Sequence, residues 1–393
     1  MHPLTREFLD NVPLLDTEKV LPGATYKTVS HPLLLNWGRV LRVHDALSDE
    51  ESRDLFRRSV VFRLLEGFLP EDLVMERYPL FERETWARIM EGVEALPKLE
   101  GDTPVDRAEI WLLNTYDYPA CHVEPGDVVL DVGAFTGNSG IYFANQAAAG
   151  GAAGKVYSFE PHPDNFVTLQ KNMASRPEVA CVHCGCSNRD GEAHLLGEGV
   201  GAMLSTRGIS VPVCTIDSFV ESQGLDHVDF IKMDIEGLEP EALAGARETI
   251  RRFHPKLAIC IYHNSEHFYS IPEQICSYGK PYRFYIKNSA PSHWGAVLFC
   301  TPADDMTLSP LSAYARDAAM MKHLAELFMM QTELPAPATV QVPVEVRVPV
   351  PQPVFRELST WECGVQLARN FHLYGLLRPL YRALTKKKGS PAS

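Results

Sequence analysis

Three short acidic signals pose the chemical question. The first is Asp131-Val-Gly-Ala-Phe-Thr-Gly and the second is Phe159-Glu160-Pro161. The third, Ile231-Lys-Met-Asp-Ile-Glu-Gly-Leu-Glu, crowds Asp234, Glu236 and Glu239 beside Lys232. Glycines at 133 and 137 let the backbone approach a ligand, and the carboxylate of Asp131 suits a cationic amino group. Glu160 follows Gly137 by 23 residues, where a carboxylate can accept both hydroxyls of a ribose. Pyrophosphate is disfavoured, because the G-x-G-x-x-G pattern needs a glycine where Phe135 stands. The ligand that fits is a nucleoside without phosphates. The competing reading is a solvated sheet edge that carries carboxylates and no ligand.

Carboxylates as close as Asp234 and Glu236 raise one another's pKa or recruit a cation, and either outcome suits a site. Glu239 reads equally well as an acidic residue in a helix's first turn, favoured by the dipole. His263 closes Lys256-Leu-Ala-Ile-Cys-Ile-Tyr-His and faces Asp234 if the two strands are neighbours; its bland reading is a strand-end histidine bonded to backbone. The expected catalytic set is therefore Asp234, Glu236 and His263, with Asp234 or His263 as base. The same three side chains could hold a divalent cation, although none is assigned. His267 is a weaker candidate. Cys181-Val-His-Cys-Gly-Cys is not a zinc site, because its residues fall along one strand and point alternately to opposite faces. Asn114-Thr-Tyr-Asp-Tyr suits a lid or simple packing.

Positioning these groups requires a buried sheet. Apolar runs at 128–133, 155–160, 179–184, 228–234, 256–263, 283–287 and 296–300 alternate with helical segments at 139–149, 163–174, 240–252 and 265–278. Strands that are apolar on both faces predict a doubly wound, mostly parallel α/β sheet. Residues 1–105 predict a helical region, with Ser48 and Glu51 forming a capping box and a second helix over 81–96. The α/β domain spans 106–304, with Leu196–Ser210 as a Gly-rich mobile insertion, and a helix occupies 305–332. Six prolines between 335 and 353 make 333–354 an extended linker. Residues 355–393 form a basic amphipathic tail, which suits a solvated face, a protein partner or an anionic membrane surface.

In order along the chain, Asp131-Val-Gly-Ala-x-x-Gly, Phe-Glu-Pro, Thr215-Ile-Asp-Ser-Phe, Ile-Lys-Met-Asp-Ile-Glu-Gly-x-Glu and His254-Pro-Lys-Leu-Ala-Ile-Cys-Ile-Tyr-His form a set. Over about 120–302 this set resembles the FkbM-type S-adenosylmethionine-dependent methyltransferases. The resemblance implies a class I, Rossmann-like methyltransferase fold and methyl transfer to a hydroxyl of a sugar, glycan or secondary metabolite. The cofactor residues expected are Asp131, Gly133, Gly137, Asn138, Glu160, Ser187 and Asp234, with the adenine near Cys186, Ser187 and Asn188. Phe135 departs from the Asn that many members carry. The second reading is a non-catalytic nucleoside-binding scaffold or regulator of the same fold.

Composition narrows the rest. With 37 Lys+Arg against 50 Asp+Glu, the 393-residue chain carries −13, which argues against a nucleic-acid partner. No apolar stretch is long enough to span a bilayer, no secretory signal opens the chain, and nine cysteines form no disulfide framework. A cytoplasmic location is the expectation.

Overall fold

A computed structural model describes residues 1–11, 30–196, 203–205, 208–305 and 308–333. The expected linker and basic tail, at 334–393, lie outside the described residues. The centre is a seven-stranded sheet. Five parallel strands supply most of it: β1 (Val128–Val132), β2 (Lys155–Phe159), β3 (Val179–Val182), β8 (Phe230–Met233) and β9 (Lys256–Cys260). β10 (Tyr282–Asn288) and β11 (Ala296–Pro302) close one edge, with β11 antiparallel to both β9 and β10. Every residue of β1 and β8 is buried, as strands covered on both faces require. The order β10-β11-β9-β8-β1-β2-β3 reverses direction between β8 and β1, so a crevice opens beyond the C-terminal ends of those two strands.

The N-terminal helices α1 (Pro3–Asn11), α2 (Trp37–Ala46), α3 (Glu50–Glu66), α4 (Glu71–Arg77) and α5 (Arg83–Gly92) precede this sheet. Leu4, Phe8, Trp37 and Phe56 share one apolar core with Ile231, Ile259 and Phe284, so α1, α2 and α3 join the core of the sheet, whereas α5 buries none of its residues. Fully burying each such side chain stabilises the fold by roughly 1.5–3 kcal/mol. Asp49, rather than Ser48, caps α3: its side chain accepts from the Ser52 amide at 2.7 Å. Ser48 instead donates its amide to the Phe284 carbonyl, which ties the helix to β10.

After a short helix, α6 (Pro104–Arg107), the crossovers are α7 (Asn138–Ala147), α8 (Pro163–Met173), α9 (Ile216–Ser222), α10 (Glu239–Ala244), α11 (Arg247–Phe253) and α12 (His267–Ser277). The single helix expected over 240–252 is two, because the chain bends at Gly245. A Cβ on that glycine would lie 2.0 Å from the Ser187 carbonyl oxygen. The stretch read as a mobile insertion also contains structure. β4 (Gly185–Cys186), β5 (Gly191–Leu196), β6 (Met203–Ser205) and β7 (Ile209–Cys214) form a small sheet ordered β4-β7-β5-β6. The chain then ends its described part in α13 (Ala315–Glu333). Among the described residues, no helix is long and apolar enough to cross a membrane.

Candidate active site at the strand ends

The turn from β1 into α7 is shaped by backbone. Gly133 and Gly137 adopt φ of 87° and 103°, and Phe135 adopts 49°, a left-handed conformation costly for a bulky residue. A Cβ on Gly133 would sit 1.9 Å from the carbonyl oxygen of Asp234, so only glycine lets these two turns touch. Gly137 has a different reason: a Cβ there would meet Met173 Cε at 2.3 Å. It packs α7 against α8 and does not line the crevice.

Asp131 departs from its expected role. It is completely buried; the Ser139 hydroxyl reaches both of its oxygens at 3.0 Å, Ser158 Oγ donates at 3.1 Å and Lys232 Nζ lies at 3.3 Å. A carboxylate so occupied has no free edge for a ligand's amino group. Lys232 also donates to the Gly133 carbonyl at 2.6 Å, so the pair splints the glycine turn from below. Burial lowers the lysine pKa, but Asp131 and Asp234 outweigh it and hold Lys232 charged. Asn138 is likewise turned inward, accepting from Trp111 Nε1 at 3.1 Å.

The crevice holds about 820 Å³ of empty space, part of it open to solvent. Gly133, Phe135, Glu160, Asp234 and Glu236 line it, so three of the seven expected cofactor residues meet there. Glu160 accepts from the amides of His162 at 2.8 Å and Phe135 at 3.1 Å. Burial nonetheless pushes its pKa up to about 7. Beyond Glu160, Cys184, Gly185, Cys186, Leu195 and Val213 form a largely apolar slot. All of these but Cys184 come from the small sheet. Ser187 stands just outside this wall, buried, with its amide on the Cys214 carbonyl at 2.9 Å.

At the opposite end the expected catalytic residues do come together. Asp234 accepts from the hydroxyls of Tyr116 at 2.6 Å and Tyr262 at 2.7 Å. His263 Nε2 lies 3.5 Å from both Asp234 and Glu236, so the histidine stands behind the pocket wall. Burial pushes the Asp234 pKa up, but Lys232, His263 and the two tyrosines hold it below the ordinary carboxylate value. Glu236 goes the other way: burial, with Asp234 and Glu239 nearby, raises it to about 7. Its backbone φ of 56° is a second strained non-glycine position at the crevice.

Glu239 proves more than a first-turn ornament. It is fully buried, accepts from the Ile235 amide at 2.9 Å and places Oε1 3.0 Å from His263 Nδ1. Burial disfavours charge on His263, yet Glu239, Asp234 and Glu236 together raise its pKa. His267 has Nδ1 3.5 Å from Glu239 Oε2, and burial pushes its pKa down to about 4, so it is neutral. Asp234, Glu239 and His263 can each bring one ligand atom within 4.8 Å of the others, a donor set of the type that holds a divalent cation. Glu239 Oε2 and both His263 nitrogens are buried without a hydrogen bond of good geometry. The imidazole, however, turns opposite edges to Glu239 and Asp234. Tyr116, Tyr262 and Glu239 are the residues that sequence reasoning missed or left undecided; for Glu239 the signal was its position three residues after Glu236.

Comparison with known proteins places one family along this part of the chain. Residues 131–282 match the model of the methyltransferase FkbM domain. The hexuronic acid methyltransferase AglP of Haloferax volcanii is 30% identical over 135 residues, 33% of this chain and 53% of that protein. The 2-O-methyltransferase NoeI of Sinorhizobium fredii is 23% identical over 188 residues, 42% of this chain and 72% of that one. The chain thus spans about half the length of the first relative and nearly three quarters of the second. The crystal structure of methyltransferase FkbM from Methylobacillus flagellatus KT aligns with 69% of this chain and 60% of its own, at 20% identity and a TM-score of 0.47.

Proposed function

From the premise that residues 131–282 are a methyltransferase FkbM domain, we propose that this protein is an S-adenosylmethionine-dependent O-methyltransferase acting on a hydroxyl of a sugar or glycan. One observation carries the reading: a single crevice joins Glu160 and an apolar slot at one end to Asp234 and Glu236 at the other. Glu160 would accept from the ribose hydroxyls, the slot beside Cys186 and Val213 would take the adenine, and the ionised carboxylate of Asp234 would complement the cationic sulfonium. The name of AglP favours a sugar acceptor and that of NoeI favours transfer to oxygen.

The methyl group is already activated, so the protein's task is alignment and proton removal. The acceptor oxygen forms its bond to the methyl carbon as the carbon–sulfur bond breaks, and that electron pair stays on sulfur. The hydroxyl proton passes to Glu236, which is tuned near neutrality and backed by His263. Glu239 fixes the imidazole from behind. A divalent cation held by Asp234, Glu236 and His263 Nε2, the three groups that share one edge of the imidazole, is the second reading. Bound, it would lower the acceptor hydroxyl's pKa.

Calorimetry with S-adenosylhomocysteine tests the cofactor placement. Glu160→Ala should weaken binding by about 1–3 kcal/mol, the cost of leaving ribose hydroxyls unpaired. Unchanged affinity overturns the placement. Binding without methyl transfer to any glycoside would favour the scaffold reading, and loss of transfer on EDTA dialysis with recovery on Mg²⁺ would favour the cation.

A further inference from the structure

Among the described residues, Trp294 is the one aromatic side chain in the set of exposed large hydrophobics, at 47% of its surface, and it is bonded on several sides. Its Nε1–H donates to Glu71 on α4 at 3.0 Å. Its turn is pinned by Ser292, whose Oγ accepts the Trp294 amide at 3.3 Å, and by Gly295, where a Cβ would lie 2.8 Å from the Ala290 nitrogen. Beneath the ring lies a buried charged cluster that the transfer chemistry does not use. Arg63 on α3 sits 6.0 Å from the indole centroid, pairs with Glu66 at 3.2 Å and donates to Ser265 Oγ at 3.1 Å. Glu66 in turn lies 2.8 Å from Nδ1 of the completely buried His293. Isolated exposed aromatics need no explanation, but burying an arginine, a glutamate and a histidine to support one is energetically demanding.

The ring also has a direction. Tyr262 stands against Trp294 at a centroid distance of 5.8 Å and an interplanar angle of 70°, and the Tyr262 hydroxyl is bonded to Asp234. The two rings are thus steeply inclined, and although neither lines the crevice itself, the Tyr262 hydroxyl links the indole to Asp234 on its wall. A pyranose has an apolar C–H face and a rim of hydroxyls. Laid on the indole, whose face is electron-rich, it turns that rim toward Asp234 and Glu236. We infer that Trp294 is the stacking platform for a carbohydrate acceptor, with Tyr262 as its side wall and α3 and α4 as its support. This deepens the sugar O-methyltransferase reading and rests on it for the choice of acceptor.

Two measurements test the inference and separate it from that reading. In ¹⁵N-labelled full-length protein, the Trp294 indole signal is assigned by its loss in Trp294→Phe. It should then shift on titration with methyl glucuronide, methyl fucoside or methyl glucoside. With any glycoside that is methylated, Trp294→Ala should raise KM at least tenfold, Trp294→Phe no more than threefold, and neither should alter S-adenosylhomocysteine affinity. A KM for Trp294→Ala within twofold of wild type overturns the platform. If no glycoside is methylated, the transfer reading fails but the platform is still decided by NMR. A shift with glycosides sustains it; a signal unmoved by glycosides, or moved only by 4-methylcatechol, overturns it.

Discussion

The two ends of the crevice are built by different means. The cofactor end draws on neighbouring segments between 131 and 214, and its key carboxylate, Glu160, is held mainly by backbone amides from Phe135 and His162. The acceptor end gathers side chains from across the chain: Tyr116 before the sheet, Asp234 after β8, Tyr262 and His263 after β9, and Trp294 between β10 and β11. Its contacts run from side chain to side chain. A site made of backbone tolerates sequence drift, whereas a site made of distant side chains can be re-specified by single substitutions. The pair Asp131 and Asp234 condenses the contrast: neighbouring strands end in one carboxylate sealed inside and one that meets the ligand space.

The sharpest way to break that contrast is to remove both in parallel. Asp131→Ala leaves Lys232 buried without its partner and should destabilise the fold by about 3–5 kcal/mol, read as a lower Tm. Should Asp131→Ala keep its Tm and lose S-adenosylhomocysteine binding, Asp131 is a ligand after all. Asp234→Asn should instead spare affinity for S-adenosylhomocysteine, a thioether with no charge to complement, and lower turnover by roughly 10²–10³-fold through loss of a fixed charge at the transferring centre. A fully active variant removes it from the site.

The pH profile sharpens the acceptor end with a smaller effect. Glu236 serves as base only when ionised, so turnover should rise as pH passes through about 7, and Glu236→Gln should erase that inflection. The same shift has a stability consequence of opposite sense. A carboxyl raised above its ordinary value is bound to its proton more tightly in the folded state. It therefore favours folding at low pH, and that contribution is lost as pH climbs from about 4.5 through about 7. The smallest expected change is Tyr262→Phe, which removes one hydrogen bond to Asp234 and should lower turnover by about 1 kcal/mol, near fivefold.

How much was legible follows the same division. The seven main strands and their parallel core were readable because their apolar runs serve two buried faces, and the observed ends fall within a few residues of those expected. The capping box at Ser48 failed by one residue because a sheet bridge to Phe284, remote in sequence, claimed the Ser48 amide. The small sheet was hidden since β4 has only two residues and β6 only three. Asp131 misled for a physical reason: a strand-end carboxylate can face out or in. What turned it in were Ser139, Ser158 and Lys232, whose convergence depends on strand register. Tyr116 fell in the Asn114–Tyr118 stretch read as a lid or packing, Trp294 carries no local motif, and only folding gives either its neighbours.

One contact binds the two ends mechanically. Where Gly133 lacks a side chain, the carbonyl of Asp234 fills the space, and Lys232 clasps the same glycine from beneath. The turn at the proposed nucleoside end and the turn at the proposed acceptor end are therefore in direct backbone contact, so a side chain added at Gly133 would displace both at once.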